Sequence, residues 1–318
     1  MKTLFNLLIL FVILFLAIVK GAVPIDLLHL TPVQKDILLS VRIPRIILSA
    51  EIGSALVIAG TLFQYVLQNP LADSFTTGAS SASALGAVIA IALGLTQLLL
   101  PFSLAFALLS LAVVYKLASF KGKLSPVTVL LAGIIISTFS SATISFIKFL
   151  SQDSVTSIVF WLMGSFQNAS YTKDFILFAI LIPVLIRLYK LSLAIDILSF
   201  DEQTAMSSGV NVYLLRKELL FHGALLTAVC VAFSGIIGFV GLIVPHILRF
   251  FKHYQAKSLF IQGTIAGASF MMLADLLSRV LLKGGEELPV GVLTSTIGGI
   301  FFLYVLMQRK KEFYQWEP

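Results

Sequence analysis

Long apolar runs follow one another along most of this chain, and short polar stretches separate them. Helical runs of about 17 to 25 apolar residues match a hydrocarbon core roughly 30 Å thick. The pattern predicts an all-α, polytopic membrane protein of about ten transmembrane helices. Their expected bounds are 4–19, 42–66, 77–95, 97–119, 127–150, 175–191, 218–234, a short segment ending at 249, 258–282 and 289–307.

The polar stretches between these runs predict the loops. Residues 20–41 are expected to form an external loop, residues 151–173 a second polar region, and residues 192–217 the longest charged loop. Inside that last loop, residues 201–209 show a short helical period and end in glycine. This pattern predicts a small surface helix that stops at Gly209.

The eighth apolar segment differs from the others in its glycine content. Three glycines recur every third residue, and a Pro-His pair and an arginine close the run: Gly235, Gly238, Gly241, Pro245, His246 and Arg249. Glycine at this density allows backbones to approach closely or to leave the helix within a membrane. We therefore predict a full helix that ends near Gly235, a break, and a short return helix that reaches the surface at Arg249. Such interrupted segments are typical of transport pathways, although a glycine-rich packing face would show the same pattern.

Composition supports the membrane assignment. The chain is 58% hydrophobic and only 12% charged, with a mean hydropathy of +1.02, whereas soluble domains carry roughly 25% charged residues. The single cysteine, Cys230, excludes a disulfide framework and a cysteine metal site. The net charge of +7 reports membrane orientation rather than nucleic-acid binding. With both termini inside, fourteen of the 22 Lys and Arg residues fall on the inner side, in agreement with the positive-inside rule.

Few residues are candidates for chemistry. Arg42 and Arg45 share a helix face at the outer start of the second helix, where they could grip carboxylates or anchor the helix at the interface. Asp275 and Arg279 are four residues apart and can pair, because an unpaired charge in lipid is costly. Glu51 lies near mid-membrane, as either a functional acid or a protonated, hydrogen-bonded one.

Catalysis and cofactor binding find no support in the sequence. Four scattered histidines make no metal constellation, and His246 is better explained by packing or capping. No G-x-x-x-x-G-K-[ST] motif occurs, so the chain is not expected to bind ATP by a P-loop. We expect no enzyme activity, no cofactor and no metal site.

Seven motifs in order along the chain resemble those of FecCD-type permeases of ABC importers, which carry iron-siderophores, haem or cobalamin. They are Arg42-Ile43-Pro44-Arg45, Gln68-Asn69-Pro70-Leu71-Ala72, Leu131-Ala132-Gly133, Trp161-Leu162-Met163-Gly164-Ser165, Gly238 to His246 with Arg249, Ala274-Asp275 with Arg279, and Glu287-Leu288-Pro289-Val290-Gly291. The resemblance covers almost the whole chain and implies a single transmembrane permease domain over residues 1–318. The chain departs from the family pattern after Arg249, at Ile300 and at Glu51.

The resemblance also implies roles for particular residues. Arg42, Arg45 and Arg279 would meet acidic residues of an external binding protein, as a cationic patch at the outer mouth. Asn69 and Leu71 would belong to an inner gate, although a plain helix cap explains them nearly as well. The short helix would dock the ATPase subunit through Asp201, Glu202, Ala205, Ser208 and Gly209.

The expected function is that of a membrane-spanning permease subunit of an ATP-driven importer in the bacterial cytoplasmic membrane. Its implied partners are a second permease subunit, two cytoplasmic ATPase subunits, an external binding protein and membrane lipid, with no nucleic acid. The family's commonest cargo is a ferric siderophore, and haem and cobalamin are the alternatives. A secondary transporter coupled to an ion gradient is the competing class, but it predicts inverted repeats and several paired membrane acids, and only Glu51 and Asp275 are evident.

Overall fold

The computed structural model describes residues 2–21, 25, 29–282 and 286–313. Its helices, in chain order, are α1 Lys2–Val19, α2 Pro32–Asp36, α3 Ile43–Leu67, α4 Ala79–Ala92, α5 Leu99–Ala118, α6 Pro126–Leu150, α7 Val155–Leu162, α8 Tyr171–Phe200, α9 Glu202–Ser207, α10 Val212–Ser234, α11 Val240–Phe250, α12 Ala256–Val280 and α13 Val290–Phe313. A π-helical segment, Ile37–Arg42, joins α2 to α3. A two-stranded hairpin, β1 Ser119–Phe120 and β2 Lys123–Leu124, is the only sheet among these residues.

The all-α, polytopic prediction is confirmed. Six helical runs are long and apolar enough to cross a membrane, and four shorter apolar helices accompany them within the described residues. The shorter helices are α1, α4, α11 and α13, each of which corresponds to a predicted span. Lys283, one of the eight Lys and Arg residues expected on the outer side, and the end of the chain beyond Phe313 lie outside the described residues.

The predicted external loop 20–41 is wrong in its second half. Helical structure begins at Pro32, where Thr31 caps α2 by accepting a hydrogen bond from the Gln34 backbone N–H. It continues without interruption through the π-helical segment into α3. Pro44, the second residue of α3, cannot donate a backbone hydrogen bond and crowds the preceding turn, and the wider π turn just before it accommodates the ring.

The predicted loop 192–217 is also much shorter than expected. Helix α8 continues past 191 to Phe200, and α10 begins at Val212, so that only residues 201–211 lie between them. The added turns of α8 are stabilised because Ile195 and Leu198 are buried in the core. In the same way, the polar region 151–173 contains the helix α7, which buries Ile158.

Helix α3 forms the centre of the molecule, with 21 of its 25 residues buried. Glycines allow its backbone to touch its neighbours directly. A Cβ on Gly53 would lie 2.1 Å from the carbonyl oxygen of Gly267 on α12, and a Cβ on Gly60 would lie 2.2 Å from that of Gly241 on α11. Small residues at helix contacts are the usual means of close packing in membranes, where lipid is as apolar as the helix surfaces.

Candidate functional site

The outer ends of α3 and α12 are joined by a buried ionic network. The Arg45 guanidinium donates to Asp275 Oδ1 from Nε at 2.9 Å and to Glu287 Oε1 from Nη1 at 3.0 Å. Arg279 Nε lies 3.1 Å from Asp275 Oδ2, which confirms the predicted pairing of Asp275 and Arg279 four residues apart. Gln167 extends the network by donating to Glu287 Oε2 at 3.2 Å.

Arg42 belongs to the same end of the molecule but has different partners. Its Nη1 donates to the carbonyl oxygens of Ile18 at 2.7 Å and Val19 at 3.3 Å, at the end of α1. These bonds tie α1 to the start of the α3 run, so that Arg42 fastens two helices at the outer interface.

Arg42, Arg45 and Arg279 do not form an exposed cationic patch in the structure. Arg42 is 5% exposed, and Arg45 and Arg279 are 6% exposed each. Charges taken out of water need close partners of opposite charge to offset the lost hydration. Asp275, which is fully buried, is such a partner for both Arg45 and Arg279. Binding-protein docking by these residues stays a prediction, and their burial favours the anchoring alternative.

A second group of acids lies deeper between α3 and α8. Glu51 is half-buried and lies within electrostatic reach of Asp174, which is 5% exposed. Glu51 Oε2 and both carboxylate oxygens of Asp174 have no hydrogen-bond partner among the described residues. The predicted functional role of Glu51 stays a prediction. These described residues hold no cluster of three or more potential metal ligands.

The predicted break after the seventh span is confirmed. Helix α10 ends at Ser234, Gly235 takes a positive φ of 71°, and α11 begins at Val240. The turn is packed against α7, since a Cβ on Gly235 would lie 2.1 Å from the Trp161 carbonyl oxygen. Irregular backbone at membrane depth must be buried in protein or line a cavity, and here Gly235 and Gly238 are buried.

The rest of the broken-helix motif holds α11 against its neighbours. Arg249 Nη1 donates to Gln64 Oε1 at 2.5 Å, which joins the inner ends of α11 and α3. His246 packs edge-to-face against Phe301 of α13, with ring centroids 5.7 Å apart, in keeping with the predicted packing histidine. Pro245 is buried within α11.

The inner turn after α3 is built by its own side chains. Gln68 ends α3 in a left-handed conformation, with φ of 48°. The Asn69 side chain accepts a hydrogen bond from the Leu71 backbone N–H at 2.9 Å, which is the geometry of a local turn. Leu71 is 46% exposed. A gating role for Asn69 and Leu71 stays a prediction, while the turn itself accounts for the asparagine.

The predicted surface helix at 201–209 is present as α9. Asp201 Oδ2 accepts the Thr204 backbone N–H at 2.9 Å and caps the helix. Because the ionised carboxylate accepts this bond, the pKa of Asp201 is lowered from its ordinary value. Ala205 is fully buried, Ser208 is exposed, and Gly209 ends the helix with a φ of 82°.

Arg216 fixes α9 to the transmembrane bundle. It is 1% exposed, and its Nη1 donates to Glu202 Oε2 at 2.8 Å and to the Leu124 carbonyl oxygen at 3.1 Å. One buried guanidinium therefore joins α9, α10 and the hairpin. These bonds hold one side of α9 against the transmembrane bundle, while its other side is exposed.

A cavity of about 460 Å³ at the inner end brings several predicted residues together. Its walls include Asn69 of the inner turn, Asp201 and Glu202 of α9, and Arg249 of α11. These residues come from widely separated parts of the chain, and the sequence alone did not show that they are neighbours.

Three functional partners were missed by sequence reasoning. In the sequence, Glu287 is part of a motif, Gln64 falls in the predicted span 42–66, and Arg216 falls in the predicted loop 192–217. A signal existed for Gln64, since an amide side chain in an apolar helix needs a polar partner.

The family model of the FecCD transport family matches residues 7–308. The chain belongs to the FecCD transport family. It is 37% identical over 292 residues to an uncharacterized ABC transporter permease protein, YvrB of Bacillus subtilis, covering 88% of this chain and 81% of that protein. It is 34% identical to the molybdate import system permease protein MolB of Haemophilus influenzae, covering 89% of this chain and 85% of that protein.

Other relatives of this FecCD permease are named for other cargoes. A probable iron chelatin transport system permease of Helicobacter pylori is 34% identical over 86% of this chain and 83% of that protein. The hemin transport system permease HmuU of Yersinia pestis is 31% identical over 86% and 84%. A solved structure described as an inward-facing metal-chelate type ABC transporter matches with a TM-score of 0.88 and 32% identity, covering 96% of this chain and 99% of that chain.

The FecCD chain is therefore the permease of an ABC importer and a multi-pass protein of the cytoplasmic membrane. It is not an enzyme, because ATP hydrolysis belongs to a separate subunit in these systems. Family membership also shows that the secondary-transporter alternative is wrong.

Proposed function

We propose that this FecCD permease imports a ferric siderophore. The support comes from two comparisons, a relative named for iron chelatin and a solved structure described as a metal-chelate transporter. The relative named for molybdate is as similar in sequence, and the relative named for hemin is only slightly less so. Haem and cobalamin remain the alternatives within the family, and molybdate joins them.

We further propose that α9 transmits the conformational change of the ATPase subunit to the transmembrane helices. One observation carries this role: α9 is an exposed helix whose buried side is fixed by Ala205 and by the bond between Glu202 and Arg216. A force applied to the exposed residues would reach α10 through that guanidinium. The inner turn lies across the shared cavity, so that a shift of α9 would change the space between them. Two ATPase subunits would then act on two permease subunits, each through its own α9.

The outer end is proposed as the surface that receives the external binding protein. Arg42, Arg45 and Arg279 would act there by fixing the outer ends of α1, α3 and α12 relative to one another. Glu287 and Gln167 are more exposed than these arginines and lie at the rim of the network. The docking surface would therefore depend on the arginines for its shape rather than for free charge.

An uptake experiment in the host tests the cargo. The gene is deleted and then complemented, and uptake is measured for radio-iron siderophores of hydroxamate and catecholate type, for haem, for cobalamin and for molybdate. Loss of siderophore uptake alone, restored by complementation, supports the proposal. Normal siderophore uptake together with loss of another cargo would assign the permease to that cargo instead.

A further inference from the structure

A groove of about 650 Å³ runs between α5 and α10 and is lined on both sides at helical spacing. On α5 the lining residues stand at the i, i+3, i+4 and i+7 positions from Leu108 to Tyr115, and on α10 the same spacing runs from Leu214 to Phe221. Residues at this spacing share one helix face. Two helix faces therefore stand opposite each other without closing the space between them.

Polarity changes along this α5–α10 groove. Helix α5 ends, and α10 begins, on the side of the membrane that carries α9 and the basic hairpin, so Tyr115 and Lys217 lie towards the inner surface. Leu108 and Phe221 lie deeper, and both are partly exposed, at 38% and 43%. A groove with an apolar depth and a polar inner mouth matches the shape of an inner-leaflet lipid, with its acyl chain buried and its headgroup at the surface.

The charge at the mouth of the groove is positive. Glu218, the acid in the lining, is held by Arg187, whose Nε and Nη2 donate to its two oxygens at 2.5 and 3.0 Å. Lys217 forms no ion pair with any residue that the structure describes, and its Nζ lies 5.1 Å from the ring centroid of Tyr115. The ring holds the ammonium group over the groove.

We infer that the α5–α10 groove is a binding site for an anionic phospholipid of the inner leaflet. The Lys217 ammonium would hold the phosphate, and one acyl chain would lie along the apolar residues towards Leu108. Basic pockets between transmembrane helices on the cytoplasmic side favour anionic headgroups in this way. A small anion alone would leave the apolar part of the groove unused.

Quenching by brominated lipids tests the site directly. A Leu108→Trp variant of the full-length protein is placed in nanodiscs that contain brominated phosphatidylglycerol or brominated phosphatidylcholine, and the added fluorescence is followed against the wild-type background. We expect phosphatidylglycerol to quench at a concentration about fivefold lower than phosphatidylcholine, as one lysine at the membrane surface would give. The preference should vanish in the Leu108→Trp, Lys217→Ala double variant.

Lys257 offers a matched control. Its Nζ lies 4.5 Å from the ring centroid of Tyr189, also on the inner side, but it does not line this groove. The Leu108→Trp, Lys257→Ala variant should keep the preference for phosphatidylglycerol. Equal quenching by the two lipids in the parent variant would overturn the site. So would weak quenching combined with disulfide formation between two copies through Phe221→Cys, because a second permease would then fill the groove.

Discussion

The buried network around Arg45 predicts a large loss of stability when its arginine is removed. Arg45→Met keeps most of the apolar stem but deletes the guanidinium. Among the residues that the structure describes, Asp275, which is fully buried, would keep its ion pair with Arg279, and Glu287 would keep its hydrogen bond from Gln167. Removing one partner of a buried ion pair costs about 3 to 5 kcal/mol. Because Arg279 remains, we expect the lower end, about 3 kcal/mol of unfolding free energy.

A double variant separates the lost pair from the lost side-chain packing. Arg45→Met combined with Asp275→Asn removes both charges, while Arg279 keeps its bond to the carbonyl oxygen of residue 275, at 3.3 Å in the parent protein. The double variant should therefore be more stable than the sum of the two single losses implies, by about 0.5 to 3 kcal/mol, the range found for residues in one network.

Equilibrium unfolding in mixed micelles, followed by circular dichroism, provides the measurement. Arg187→Met is the matched control, because it breaks an ion pair that is exposed, and exposed pairs contribute little. The reasoning is refuted if Arg45→Met loses no more stability than Arg187→Met, or if the Arg45 and Asp275 losses simply add.

Three further predictions test packing, coupling and capping. Gly53→Ala should lower stability by about 1 to 3 kcal/mol through overpacking against Gly267 in the same equilibrium unfolding assay. Gly299→Ala, which has open space around it, should be neutral or stabilising. A cysteine replacing Ser207 should crosslink to the ATPase subunit in membranes, and its labelling by an impermeant reagent in intact cells would contradict the inner position of α9. Since hydrogen bonding lowers the pKa of Asp201, the cap stabilises α9 above the ordinary carboxyl range and is lost as pH falls through the lowered pKa. Hydrogen exchange of α9 amides should show this acid dependence, and Asp201→Asn should remove it.

The sequence by itself determined the class, the spans and the local motifs of this protein. Span number follows from the length of apolar runs, because the bilayer demands about 20 apolar residues per crossing. The break at Gly235, the short helix that stops at Gly209 and the pair of Asp275 with Arg279 are also local, since each depends on residues within a few positions. Such features can be predicted because residues that are close in the sequence set their geometry.

Only the tertiary structure decided where helices pass beyond the membrane and which charges are buried. Hydropathy marks only the part of a helix that lies in lipid, and it therefore predicts that α8 ends at 191. In the structure the helix continues to Phe200, because Ile195 and Leu198 pack in the core. Arg45 pairs with Asp275 and Glu287, which are 230 and 242 positions away along the chain, and no local pattern can identify either partner. The sequence therefore predicts an exposed interfacial charge at Arg45, whereas in the structure Arg45 is buried, because the fold brings two distant carboxylates into contact with it.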